Sequence, residues 1–322
     1  MEKLDVLYTT NHDYKDIMMG SILSLIINGN IQNINLHIVT SEFVLEDYLD
    51  IEKTLSQYSS VNVYFYDFKK INIEKYNIPS WRGTQIANAR LFYQDILNDK
   101  IPSIDNLLYL DSDTIVVSNL DGLFEYMNNA VNAVLENPTQ KRLEGLELTR
   151  YFNSGVLLFN TEMWCQNNYQ ERIIHFLENN NKPLIYPDQD TLNMAINKGI
   201  SELPINYNLS TGYFLYDRLL RLYLNSDNNE WIDELIEGKK DPKIIHSTGI
   251  WGIKAWTNNN INPYNDEFIK YILLGNPEFI KPEISDIKRL LTQYPALFKT
   301  ILLIKSRLPE PAQKLVRKIT SK

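Results

Sequence analysis

Two aspartates one residue apart, Asp111 and Asp113, interrupt the run NLLYLDSDTIVV. Four apolar or aromatic residues lead straight into them, which puts the pair at the carboxyl end of a buried strand, where ligands sit in open α/β sheets. Two close carboxylates repel each other and need a cation or a proton. A hard divalent ion, Mn²⁺ or Mg²⁺, characteristically bridges such carboxylates to phosphate oxygens brought by a substrate. The alternative is that Asp111 and Asp113 cap a turn; a chain with 20 aspartates produces such a pair by chance. The pair therefore needs partners before it becomes a site.

Histidine is scarce: His12, His37, His175 and His246 are the four. His37 falls within a strand and His175 within a helix, where a packed or surface histidine is the simpler reading. His246 ends the β-like run KIIH and precedes STGIWGIKAW, a loop that holds Gly249 and Lys254. A strand-end histidine before a glycine loop and a lysine suits a metal and phosphate site. Imidazole ligates Mn²⁺, loop amides approach phosphate, and the lysine adds positive charge. The alternative is a capped loop whose Trp251 and Trp256 fill core.

The elements that must position these residues follow from pattern. LDVLYTT reads as a strand, NHDYKD as a turn and IMMGSILSLIING as an apolar helix closed by Gly29. NLHIVT, SEFVLEDYLDIEKTLSQY and VNVYFYDF continue as strand, helix and strand. This alternation predicts a mainly parallel, Rossmann-like sheet with right-handed crossovers, without a G-x-G-x-x-G turn. A loop with Pro79, Trp81 and Gly83 precedes TQIANARLFYQDIL, read as a helix. Further strands are expected at AVNAVLE and SGVLLFN, and helices at TEMWCQNNYQERIIHFLEN and DQDTLNMAINKG. From Tyr264 onward the sequence is helical and broken by prolines 277, 282, 295, 309 and 311. The expected organisation is one catalytic α/β domain over 1–263 and a small helical carboxy-terminal region over 264–322.

Composition narrows the function classes. The chain has 322 residues, of which 44% are hydrophobic and 22% charged, enough for a full-size core. A single cysteine, Cys165, cannot form an internal disulfide. The start MEKLDVLYTT has no apolar signal core, and no apolar run reaches the length of a spanning helix. A cytoplasmic protein is expected. The net charge of −8 argues against nucleic acid, because the phosphate backbone repels such a surface. Residues 281–322 carry ten Lys or Arg against three Asp or Glu, a tail of +7 on a body of −15. Such a tail either lies on anionic lipid at the inner face of the membrane or forms a solvated helix pair that covers the core.

Four separated segments, NLLYLDSDTIVV, FNSGVLLFN, PDQDTLN and H-x-x-G followed by Lys and Trp, together resemble the family 8 retaining glycosyltransferases. These are bacterial galactosyl- and glucosyltransferases of GT-A fold that use UDP-sugars with Mn²⁺. VLYTTNHDYKDIMMGSILSL and the segment ANARLF also match, so the resemblance runs in order from about residue 4 to 260. It implies that Asp111, Asp113 and His246 ligate Mn²⁺, flanked by Ser112. It further implies that Thr9, Asn11 and Tyr14 line the uridine pocket, with Tyr14 stacked on uracil, and that Arg90 reaches the donor sugar or diphosphate. Asn153 and Ser154, read as part of an FNSG turn, would bond the sugar. Asp188 and Gln189 would contact its hydroxyls and reacting face, with Asp190 orienting them. Read without the family, the same residues are core filling (Tyr14), a surface charge (Arg90), turn chemistry (Asn153 and Ser154) and a helix cap (Asp188 to Asp190). Two departures stand out. The family often has Asp where this chain has Asn11, and Lys254 follows His246 by eight residues with Ala255 in place of proline, a loop two residues longer than the family's.

The activity implied is transfer of galactose or glucose from UDP to a glycan, glycolipid or glycoprotein acceptor. Mn²⁺ and Lys254 would meet the charge on the departing diphosphate. Retention would come from front-face attack, in which the diphosphate takes the acceptor's proton, or from double displacement through Gln189 or a nearby carboxylate. Two other classes fit parts of the sequence: a noncatalytic GT-A-like subunit that binds a partner transferase or glycan, and a sugar-nucleotide hydrolase.

Overall fold

The computed structural model describes residues 1–70, 76, 78–80, 83–138, 140–215, 229–248, 254–258 and 262–284, together with the single residues 300, 304 and 308. Gly249, Trp81, Trp251 and nearly all of the basic tail lie outside the described residues.

The first three strands are β1 (Lys3–Asn11), β2 (Asn33–Ser41) and β3 (Val61–Asp67), joined by helices α1 (Lys15–Asn28) and α2 (Leu45–Leu55). All three run parallel, as the strand and helix alternation predicts. β4 (Asn106–Leu110) lies beside β1, also parallel. The sheet continues through β7 (Tyr151–Asn160), antiparallel to β4, then β6 (Val131–Glu136) and β8 (Ile200–Leu203), giving the order β3-β2-β1-β4-β7-β6-β8. A second, three-stranded sheet contains β5 (Thr114–Val116), β10 (Ile244–His246) and β9 (Leu209–Ser210) in that order.

β1 is buried on both faces, so its apolar residues divide between two cores. Leu4, Val6 and Tyr8 enter the core that α1 covers, and Leu7 enters the one on the opposite face. α1 is itself nearly engulfed because the helix Asn265–Gly275 packs on its outer side. Gly20 permits that approach: a Cβ at this position would lie 2.8 Å from Ile272 Cγ1. No helix among the described residues is long and apolar enough to cross a membrane.

Four elements differ from expectation. The run 84–97 is a 3₁₀ helix over Ile86–Phe92 followed by the short α3 (Tyr93–Leu97). Within it the buried Arg90 gives its Nε to the Ala87 carbonyl (2.8 Å), so side-chain chemistry shares the backbone acceptors that an α-helix would use. The helix expected over 161–179 is two, α5 (Thr161–Gln166) and α6 (Tyr169–Asn179), because Asn168 takes a left-handed φ of 51°. Asn153 and Ser154 lie inside β7 rather than in a turn; pairing of Leu135 and Glu136 with Phe152 and Tyr151 extends the strand to them. Residues 200–242, to which no element is assigned from sequence, hold β8, β9 and the helix Asn229–Gly238.

Candidate active site

β4 ends at Leu110 in the large sheet and β5 begins at Thr114 in the small one. Asp111, Ser112 and Asp113 form the crossing between them. The register of the small sheet pairs Thr114 with His246, so the end of β10 arrives beside the two aspartates. His246 Nε2 lies 3.2 Å from Asp113 Oδ1 and 3.6 Å from Asp111 Oδ2. Among the described residues, this trio is the cluster able to hold a metal, each member offering a ligand atom within 4.8 Å of the others. Gly155 on β7 leaves room for it, since a Cβ there would lie 2.2 Å from His246 Cε1 and 2.9 Å from Asp111 Oδ2. Two carboxylates and an imidazole fit Mn²⁺ better than a soft metal.

The charges around the trio compensate one another. Burial pushes the Asp113 carboxyl up, but Lys254 and His246 outweigh it and hold the group well below the ordinary carboxylate range. Lys254 donates to Asp113 Oδ2 and to the Ser247 carbonyl (3.0 Å). Arg90 is 3% exposed and sits between two acids, its Nη2 at 2.7 Å from Asp111 Oδ1 and its Nη1 at 3.3 Å from Asp188 Oδ2. Burial works against its charge, yet Asp111 and Asp188 raise its pKa above the ordinary value. Nη1 also donates to the Ser154 carbonyl at 2.6 Å. Arg90 is therefore a buried part of this cluster, not a surface helix charge.

On the far side of Arg90, α7 (Pro187–Ile196) presents its first turn to β7. Ser154 Oγ donates to Asp188 Oδ2 (2.8 Å), and Ser154 N–H donates to Gln189 Oε1 (3.1 Å). Gln189 Nε2 donates to Glu136 at the end of β6 (2.8 Å), which Asn153 Nδ2 also reaches at 3.4 Å. Burial raises the Glu136 carboxyl pKa despite these bonds. Asp190 points away from this group. It is fully buried, with Oδ1 taking Arg142 Nη2 and Tyr151 OH at 2.5 Å each and Oδ2 taking the amides of Ile185 (2.7 Å) and Tyr186 (2.9 Å).

The end of β1 closes the third side. Thr9 Oγ1 bonds Tyr109 OH (3.0 Å), Tyr109 OH donates to Asp111 Oδ1 (2.6 Å), and Ser112 Oγ donates to the Thr9 carbonyl (3.1 Å). Asn11 ends β1, and Tyr14 ends the 3₁₀ turn His12–Tyr14, where its ring meets Trp256 edge-on at 5.9 Å. Thr9, Arg90, Asp111 to Asp113, Asn153, Ser154, Asp188, Gln189, His246 and Lys254 thus form one hydrogen-bonded cluster, with Asn11 at the end of β1 and Tyr14 just past it. Gly249 lies outside the described residues.

Sequence reasoning misses Tyr109, Glu136 and Asn208. Tyr109 carries a readable signal, because two residues before Asp111 on a strand is the same face. Glu136 carries another, an acid that closes an apolar strand as Asp111 does. Asn208, whose Oδ1 lies 3.0 Å from His246 Nδ1, has no such mark in an Asn- and Tyr-rich stretch.

Comparison with known proteins places this geometry. The chain is 25% identical over 292 residues to General stress protein A of Bacillus subtilis (strain 168), a match to 86% of this chain and 97% of that protein. It is 28% identical over 216 residues to the lipopolysaccharide 1,2-glucosyltransferase of Escherichia coli (strain K12), spanning 64% of this chain and 62% of that enzyme. Among solved structures, the galactosyltransferase LgtC in complex with donor and acceptor sugar analogues aligns with a TM-score of 0.69 at 18% identity, over 84% of this chain and 95% of that one. This likeness shows the GT-A fold. The sequence pattern of Glycosyl transferase family 8 matches residues 5–260, most of the chain and all of the described cluster, and the chain belongs to that family.

Proposed function

We propose that the protein is a Mn²⁺-dependent retaining transferase that moves galactose or glucose from a UDP-sugar to a glycan, glycolipid or glycoprotein acceptor. The observation that carries this reading is the meeting of Asp111, Asp113 and His246 between two cations, Lys254 on one side and Arg90 on the other. When bound by the trio, Mn²⁺ would supply Lewis-acid stabilisation to the leaving diphosphate.

The remaining chemistry belongs to the side chains. Lys254, beside Asp113, is placed to meet charge that grows on the diphosphate as the sugar departs. Thr9, Asn11 and Tyr14 flank the uridine side, with Ser112 tying β1 to the crossing. Arg90, Asn153, Ser154 and Asp188 serve the sugar, and Gln189 lies at its reacting face. Gln189 Oε1 already accepts from Ser154, which weakens it as a nucleophile and favours front-face attack with the diphosphate as proton acceptor. The longer spacing between His246 and Lys254 is the one sequence feature that favours a noncatalytic subunit. It loses force because Lys254 still reaches Asp113.

The test is UDP release from UDP-galactose, UDP-glucose and their N-acetyl forms, with Mn²⁺ or with chelator. Metal-dependent release from one hexose donor, rising with a sugar acceptor, is the expected result. Release that never responds to an acceptor indicates a hydrolase. Absence of turnover together with absence of UDP and Mn²⁺ binding overturns the proposal in favour of the noncatalytic subunit.

A further inference from the structure

A histidine can ligate a metal through Nε2 only if that nitrogen is free of its proton, and which ring nitrogen keeps the proton is set by the partner of the other. At His246 this choice can be traced to a backbone amide. Gly155 N–H donates to Asn153 Oδ1 at 2.9 Å. A backbone N–H only donates, so Asn153 must present its oxygen at this point. Asn208 approaches the same oxygen at 2.8 Å and must present its Nδ2. The other end of the Asn208 amide, Oδ1, then faces His246 Nδ1 at 3.0 Å. Because an amide oxygen only accepts, Nδ1 carries the proton and donates it. Nε2 is left to face Asp113 and Asp111.

We propose that Asn208 is a positioning residue for His246: it carries the polarity of the Gly155 amide through Asn153 to the imidazole, and so keeps Nε2 as the nitrogen available to a metal. The chain has one direction. Turning Asn208 over sets its oxygen against Asn153 Oδ1, and turning Asn153 as well forfeits the Gly155 bond. Asn208 and His246 are each 5% exposed, so water does not replace what is lost. The assignment also gives Asn153 a task other than touching the sugar. Its use to a metal rests on the function proposed above, whereas the proton position does not.

The first test is ¹⁵N NMR of the imidazole rings in the full chain, with the His246 signals assigned by comparison with His246→Gln. It is run without metal above the ring's titration, and again with Mg²⁺ and UDP. The expected spectrum has the proton on Nδ1; a ring protonated on Nε2 in the wild type overturns the proposal, whatever any variant does. The second test is Mn²⁺ affinity from the electron paramagnetic resonance signal of the free ion. Asn208→Leu should lose roughly 10- to 100-fold, and Asn208→Asp, which still accepts from Nδ1 but sets an oxygen against Asn153 Oδ1, should keep more of the affinity than Asn208→Leu although its thermal midpoint falls. Equal affinity for Asn208→Leu and wild type overturns the proposal. A wild type that binds no Mn²⁺ at all defeats the function proposed above, and the NMR result still decides the role of Asn208.

Discussion

At the scale of single residues, the site works by opposing charges at short range. Asp111 and Asp113 would repel each other, and each is instead answered by its own cation, Arg90 for the first and Lys254 for the second. Removing either acid therefore does two things: it deletes one carboxylate of the trio and leaves a cation facing the gap. Asp111→Ala and Asp113→Ala should each abolish Mn²⁺-supported UDP release while far-ultraviolet circular dichroism stays that of the wild type. Full activity in both variants would remove the metal site from the mechanism. These two aspartates are legible in sequence as a strand-end acidic pair, which gains meaning only with partners such as His246. Asn208 is not legible, because a buried amide looks like any other asparagine until its neighbours are known.

At the scale of elements, the first turn of α7 is held by a residue that does not touch the reacting group. Asp190 staples the chain entering the helix through the amides of Ile185 and Tyr186, and it is anchored by Arg142 from α4 (Gln140–Leu146) and Tyr151 from β7. Asp190→Asn cannot accept all four of these bonds, so it should lower kcat through misplaced Asp188 and Gln189 while UDP affinity, measured calorimetrically, is kept. The expected loss of stability is about 1–3 kcal/mol, read from denaturant unfolding. A fall in UDP affinity equal to the fall in kcat would refute this division of labour. α2 has a similar staple near its start. Burial pushes the Asp47 carboxyl up, but the Val44 amide, His12 and Lys15 outweigh it and hold the pKa below the ordinary 3.8. A carboxyl depressed on folding stabilises above its unfolded pKa, and that contribution is lost as pH falls through the folded value. Asp47→Asn should thus cost about 1 kcal/mol near neutrality, and the gap to wild type should close as pH drops below 3.8. A gap that persists at low pH would assign the effect to packing.

At the scale of the molecule, two sheets and a late helix meet around α1. The helix Asn265–Gly275 enters the same core as β1, with Phe268, Tyr271 and Ile272 all buried. Ile272→Ala should cost about 2–5 kcal/mol, seen as a lower thermal midpoint, with Mn²⁺ and UDP affinity unchanged in the folded protein. An unchanged midpoint would mean that this helix is an appendage rather than part of the core. Ile272 packs against α1 at Gly20 and takes part in none of the site's hydrogen bonds or ion pairs, which is why stability and binding are expected to separate.

What the sequence by itself determined is the part written in local pattern: parallel strands alternating with helices, an acidic pair at a strand end, and a histidine at another. Local pattern suffices there because burial on both faces of a strand and the turn to a polar end are properties of adjacent residues. Only the tertiary structure decided that β7 runs antiparallel beside β4 and carries Asn153 and Ser154 within it, that Arg90 is buried between two carboxylates, and that Asp190 supports its neighbours instead of joining them. Each of these depends on residues far apart in the chain whose charges and hydrogen bonds must be satisfied together once water is excluded. That condition exists only in the folded protein.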